Sequence, residues 1–143
     1  MMRPQNLLDD LTTVKAAGVN TIVSLLEQPE AQKAGLGSQP DACTALNLTY
    51  LNHPIRDMQL PDPDAFADFS ANIAARLHAG AHVAVHCFAS IGRTGMLTCT
   101  TLGHFGYDAA SALSLVSQLR GVAVPDTPQQ ADFIKRMIAA QNA

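Results

Sequence analysis

The chain is short of most features that would assign it to a special environment. Only 15% of its 143 residues are charged and the formal net charge is −3. That leaves no basic excess to pair with nucleic acid or an anionic membrane surface. No apolar run reaches the roughly 18 residues needed to span a bilayer. Three cysteines, an odd number without metal-type spacing, make neither a disulfide framework nor a zinc site. There are no internal repeats, no low-complexity tract and no linker dividing the chain. The opening stretch, MMRPQNLLDDLTTVKAAG, carries two aspartates on an amphipathic helical pattern and does not read as a signal peptide. These absences predict one soluble cytoplasmic domain over residues 1–143, long enough to bury a substantial core, with 48% hydrophobic residues to fill it.

What is there alternates between strand and helix. Leu7, Leu8, Leu11 and Val14 recur at helical spacing and Gly18 closes that helix. TIVSLL (21–26) reads as a buried strand, and LTYLNHPI (48–55) as a second. Between them, residues 27–40 are polar and broken by Pro29, Gly35, Gly37 and Pro40, a loop with room for one short helix; DACTALN suggests another. Asp62 followed by Pro63 caps a helix whose apolar stripe is Phe66, Phe69, Ile73 and Leu77. A strand over 82–86 precedes helices near 94–105, 108–119 and 128–140, the last announced by Thr127-Pro128. The expectation is an α/β fold: a central, mostly parallel sheet of about four to five strands flanked by helices, with its ligand site at a strand-to-helix turn.

That turn is VAVHCFASIGRTG (83–95). Backbone N–H groups in such a turn, together with the unpaired donors of the helix behind it, form a cradle for an anion. Phe88, Ala89, Ser90, Ile91, Gly92 and Arg93 would line it, Gly92 being read as relief for the backbone and Arg93 as a planar fork for two phosphate oxygens. Cys87 opens the loop where dipoles and guanidinium charge both favour a thiolate. A nucleophile at one end and an arginine at the other point to attack on a bound tetrahedral oxyanion.

His86-Cys87-x5-Arg93-Thr94-Gly95 resembles the signature loop of the cysteine-based protein tyrosine phosphatases. HPIRDMQLPD (53–62) looks like the general-acid loop of the small dual-specificity phosphatases, particularly the kinase-associated phosphatase branch, and LRG…VPDTPQQADFI (119–134) is similar to their C-terminal segment. Three departures stand out: Ser90 replaces the loop's usual glycine, Phe88 is bulky, and the chain opens at a helix where the family opens with strand material, which would reduce the sheet's edge.

The resemblance implies a phosphoprotein phosphatase working through a cysteinyl-phosphate on phosphotyrosine and on phosphoserine or phosphothreonine, with no metal and no cofactor. Phosphate, vanadate or sulfate would be ligands of the loop. Cys87 is then the nucleophile, Arg93 the clamp and Thr94 the hydroxyl that stabilises departing sulfur; His86 orders the loop, and Gln130 positions the hydrolytic water. The acid is Asp57, Asp62 or Asp64. Asp62 has a cap to make and Asp64 falls in the first helical turn, where acids are favoured anyway; Asp57 has no such local explanation and matches the family's acid. The alternatives are a phosphoinositide or other non-protein phosphatase, against which the lack of lysine in the loop counts, and a non-catalytic phosphoprotein-binding module, against which the intact cysteine, arginine and acid count. Rhodanese and arsenate reductase loops fit the His86 and Thr94-Gly95 flanks less well. His53, His78, His82 and His104 show no ligand spacing. Cys43 and Cys99 are read chiefly as buried residues, and secondarily as partners that could protect an oxidised Cys87.

Overall fold

A computed structural model of the chain describes residues 7–88 and 91–142. The β-branched run at its centre becomes strand β1 (Thr21–Ser24), buried at all four positions. β2 (Thr49–Asn52) and β3 (Val83–His86) flank it in the order β2-β1-β3. Both pairings are parallel, which makes β1 the central strand of a buried parallel sheet. Three strands lie among the described residues, fewer than the four to five expected. β3 therefore stands at the sheet edge, with Val83, Ala84 and Val85 only half-buried.

The register decides where a ligand can sit. Ser24 of β1 lies opposite Asn52 of β2 and His86 of β3, so all three strands end at one level, with the segments carrying Asp57 and Cys87 leaving there on either side of β1. The expected strand over 21–26 stops at Ser24, but Leu25 and Leu26 stay buried. The Leu25 N–H donates to the carbonyl of His86 at 2.9 Å. Beyond β2 the chain is stitched to the same place: Asn52 Nδ2 donates to the carbonyls of Ser24 and Leu26 at 2.8 and 3.1 Å, and the Ile55 N–H to that of Leu25 at 3.0 Å.

Helices α1 (Leu7–Ala16), α2 (Gln28–Lys33), α3 (Gln39–Ala45), α4 (Pro63–His78), α5 (Gly92–Gly103), α6 (Ala109–Arg120) and α7 (Pro128–Gln141) complete the layers. In α1, Leu7 and Leu11 are buried but Leu8 is 55% exposed, because adjacent helical positions are about 100° apart and Leu8 falls off the packed stripe. The capping signals act as read: Asp62 Oδ2 accepts the Ala65 N–H at 2.9 Å, and Thr127 Oγ1 the Gln130 N–H at 3.1 Å. α5 is the central helix, packed on α4, α6 and α7, and ten of its twelve residues are buried. Phe66 of α4 meets Phe133 of α7 with ring centroids 5.6 Å apart, closing the core beneath the sheet ends.

Candidate active site

The site grows out of the β3–α5 turn. Cys87 follows β3 directly and is 2% exposed. α5 begins at Gly92, and the residue before its first turn, Ile91, offers no side-chain cap. The corresponding ends of α4, α6 and α7 are each closed by an Asp or Thr oxygen. The first N–H groups of α5 thus remain available to an anion from outside the helix. Ala89 and Ser90, two of the six expected cradle residues, lie outside the described residues. Phe88 is 53% exposed beside the loop rather than packed under it.

Cys87 and Thr94 meet: Thr94 Oγ1 donates to Cys87 Sγ at 3.1 Å, placing a hydroxyl donor on the sulfur. Arg93 is buried, and both its terminal nitrogens are held. Nη1 and Nη2 each donate to one oxygen of Glu30 at 2.7 Å, a bidentate pair, and Nη1 also reaches the Ile55 carbonyl at 3.0 Å. Asp57 Oδ1 lies 3.3 Å from Nη2. Burial alone would pull the guanidinium down, but the hydrogen-bonded Glu30 carboxylate more than offsets this, so Arg93 is raised above its ordinary value. The same bond holds Glu30 below the usual carboxylate value, against the opposing effect of its own burial. A fork anchored at both nitrogens has lost most of its rotamer freedom before any ligand arrives.

Of the three candidate acids, only Asp57 contacts Arg93. Asp62 caps α4, and Asp64 lies in that helix's exposed first turn. His86 turns from the loop: its Nε2 donates to Gln39 Oε1 on α3 at 2.9 Å, tying the end of β3 to α3. Burial lowers its pKa, which keeps the imidazole neutral.

Gln130 is buried and closes the N-terminus of α7, its Oε1 accepting the N–H groups of Asp126 and Thr127 at 3.1 and 3.2 Å. Its Nε2 is buried with no hydrogen-bond partner. A Cβ on Gly92 would lie 2.9 Å from that nitrogen and would collide with the Asp126 carboxylate. Gly92 is therefore required for the close approach of α7 to the loop. Its φ is not among the positive ones, so the backbone relief expected from sequence is not what it supplies.

Glu30 is the residue the sequence reading missed. The signal was present: Glu27, Pro29 and Glu30 make a helix start, with Glu30 Oε1 accepting the Glu27 N–H at 3.4 Å. The remaining candidates stay apart from the site. His53 stacks on Phe69 and His78 on Phe105, while His104 Nε2 lies 3.3 Å from Ser70 Oγ. Cys43 and Cys99 are fully buried and their thiols are pushed up to about 11 by that burial. That protonated state makes both poor attackers of an oxidised sulfur.

A parallel sheet whose ends carry a Cys-x5-Arg turn into a buried helix defines a small dual-specificity-phosphatase-like domain of the cysteine-based tyrosine phosphatase superfamily. The chain belongs to the family described as the polymorphic toxin system DSP-PTPase phosphatase, which matches residues 1–106. Among solved structures it is similar to kinase associated phosphatase (KAP) bearing a serine at its catalytic-site cysteine, with a TM-score of 0.86 at 18% identity over 95% of this chain and 78% of that one. It is also similar to Tk-PTP in the active form, with a TM-score of 0.79 at 24% identity over 97% and 88% of the two chains. PTPMT1 in complex with PI(5)P gives a TM-score of 0.76 at 17% identity over 96% and 88%. No curated protein sequence matches. Among the described residues, no helix is long and apolar enough to cross a membrane.

Proposed function

We propose that residues 1–143 form a cysteine-dependent phosphoprotein phosphatase acting on phosphotyrosine and on phosphoserine or phosphothreonine. The observation that carries this reading is the convergence of Cys87, Thr94 and Arg93 on one strand-to-helix turn, with Asp57 at the arginine. A phosphate dianion enters the cradle, meets the α5 N–H groups and takes Asp57's place at Arg93. Cys87 Sγ attacks phosphorus as the bond to the leaving oxygen breaks, and Asp57 gives that oxygen its proton. Water then attacks the cysteinyl-phosphate, Asp57 takes a proton back, and the P–S bond breaks with Thr94 Oγ1 stabilising the departing sulfur. Glu30 and the Ile55 carbonyl hold Arg93 still throughout, so the clamp needs no reorganisation in the transition state. Gln130, buried against Gly92, has its unpartnered amide available for the hydrolytic water.

Phosphopeptides, an aryl phosphate and a phosphatidylinositol phosphate, each offered to wild type and Cys87→Ser, test the proposal. Peptide hydrolysis is expected from wild type alone, with phosphate or vanadate still binding the serine variant. Serine-variant turnover equal to wild type would refute covalent catalysis by Cys87. Hydrolysis of the inositol phosphate in preference to every peptide would replace the protein substrate.

A further inference from the structure

Beside the Arg93 clamp, a cavity of about 350 Å³ lies between α2 and the loop that follows β2, lined by Glu27, Pro29, Glu30, Lys33, Arg56 and Asp57. That is the low end of the range for ligand sites, roughly 300–1,000 Å³, and suits one polar group better than a whole ligand. Two of its acids, Glu30 and Asp57, have their carboxylates on Arg93, whose single charge offsets one of them. With Glu27 set against the two cations Lys33 and Arg56, the charges around the cavity are even while Asp57 is ionised. They carry one net positive charge when Asp57 holds the proton that it gives to the leaving group. Neither cation makes an ion pair or side-chain hydrogen bond among the described residues, where the ion pairs are Arg93 with Glu30 and Asp57, and Arg136 with Asp132. The two cations come from separate segments, the last turn of α2 and the start of the Asp57 loop. They line one space together with Glu30 and Asp57, the two acids that contact Arg93.

We propose that Lys33 and Arg56 form a second anion subsite, which takes an acidic side chain (a carboxylate or a second phosphate) flanking the scissile phosphoresidue of a peptide substrate. The proposal rests on the phosphatase reading and adds to it a substrate class: phosphopeptides with acidic or multiply phosphorylated surroundings. Arg56 precedes Asp57 directly, so an anion held by Arg56 would also fix the loop carrying the acid.

The test measures kcat/KM for phosphopeptides differing at the flanking positions, with Asp or Glu, a second phosphoresidue, or Ala, on wild type, Lys33→Ala, Arg56→Ala, the double variant and Lys135→Ala, an exposed lysine on α7. Wild type should favour both acidic arms over the alanine peptide, chiefly in KM, and each single variant should reduce that ratio about two- to fivefold, as expected for a solvated charge pair. The ratio should also shrink as salt rises and be unchanged in Lys135→Ala. A preference confined to the second-phosphate arm would identify phosphate as the source of the anion, and equal gains would identify charge alone; both support the subsite. Equal kcat/KM for acidic and neutral peptides, or a preference surviving in the double variant, would overturn it. An aryl phosphate run in parallel separates the two readings: if wild type fails to hydrolyse it, the phosphatase reading falls and takes the subsite with it. Hydrolysis without acidic preference removes the subsite alone. Faster turnover of a phosphatidylinositol phosphate than of any peptide, lost in the double variant, would assign the cations to a lipid headgroup and overturn the peptide proposal.

Discussion

Replacing Glu30 by glutamine probes the anchor of the clamp with almost no change of shape. Glutamine keeps one acceptor for Arg93 Nη1 but presents an amide N–H₂ to Nη2 where a carboxylate oxygen stood at 2.7 Å. Removing one partner of a fully buried ion pair costs about 3–5 kcal/mol. The Glu30 side chain is 23% exposed, so water reaches the site, and Ile55 and Asp57 still hold the guanidinium. The expected loss is therefore about 1–3 kcal/mol, in line with a charge-assisted hydrogen bond, or about 3–10 °C in Tm for a chain this size. Thermal unfolding followed by circular dichroism reads it. The pH dependence has a definite sign. Glu30 titrates lower in the folded state than its ordinary 4.5. Its contribution is fully present above that value and fades as pH falls through the lower folded one. The gap between wild type and variant should accordingly narrow as pH falls below that ordinary 4.5. Activity should fall in kcat, because a mobile fork must be reordered at each turnover. An unchanged Tm, or a gap independent of pH, would refute this account of how Arg93 is held.

Arg93→Lys should damage hydrolysis nearly as much as Arg93→Ala, since lysine keeps the charge but cannot span both Glu30 oxygens and a phosphate; a lysine variant of near-normal kcat would contradict this. Asp57→Asn should slow a poor, phenol or alkyl leaving group by about 10²–10⁴-fold and an activated one far less. Asp62→Asn should leave both rates and the Tm nearly unchanged, because asparagine caps a helix as well as aspartate does. If the leaving-group dependence followed Asp62 instead, the acid is misassigned. Gly103→Ala should destabilise by about 1–3 kcal/mol, an overpacking cost, because a Cβ there would sit 2.8 Å from Ile138 Cγ1 and collide with Gln141 on α7; a Tm at or above wild type would show that the α5–α7 contact yields.

The parts of the site that were readable in advance are those written contiguously. Strand, cysteine, loop, arginine and helix follow one another within 83–103, so spacing alone conveys their geometry. The caps at Asp62 and Thr127 are equally local, each set by an oxygen and the N–H three residues on. Glu30 escaped because nothing local explains its purpose: its partner is 63 positions away. Its own segment, rich in Pro and Gly, reads as loop even though Glu27-x-Pro29-Glu30 starts a helix. Gly92 was singled out for the wrong reason, since the crowding by Asp126 and Gln130 exists only once α7 has docked. The three strands read over 21–26, 48–55 and 82–86 are the three that form, each trimmed to four residues.

The distance along the chain between Arg93 and its anchors has a consequence for the order of folding. The turn from β3 into α5 is a local structure, whereas the contacts that aim Arg93 close segments 38 residues long to Ile55 and 63 to Glu30. Contacts so separated in sequence form only after their loop-closure entropy has been met, and hence late. A refolding chain would then possess its cysteine and its helix end before it possesses an oriented arginine. Regain of turnover should lag behind regain of helical signal, the convenient structural probe in a chain without tryptophan. Partly folded molecules would hold phosphate poorly and hydrolyse nothing, so that the last long-range contacts to form switch the chemistry on.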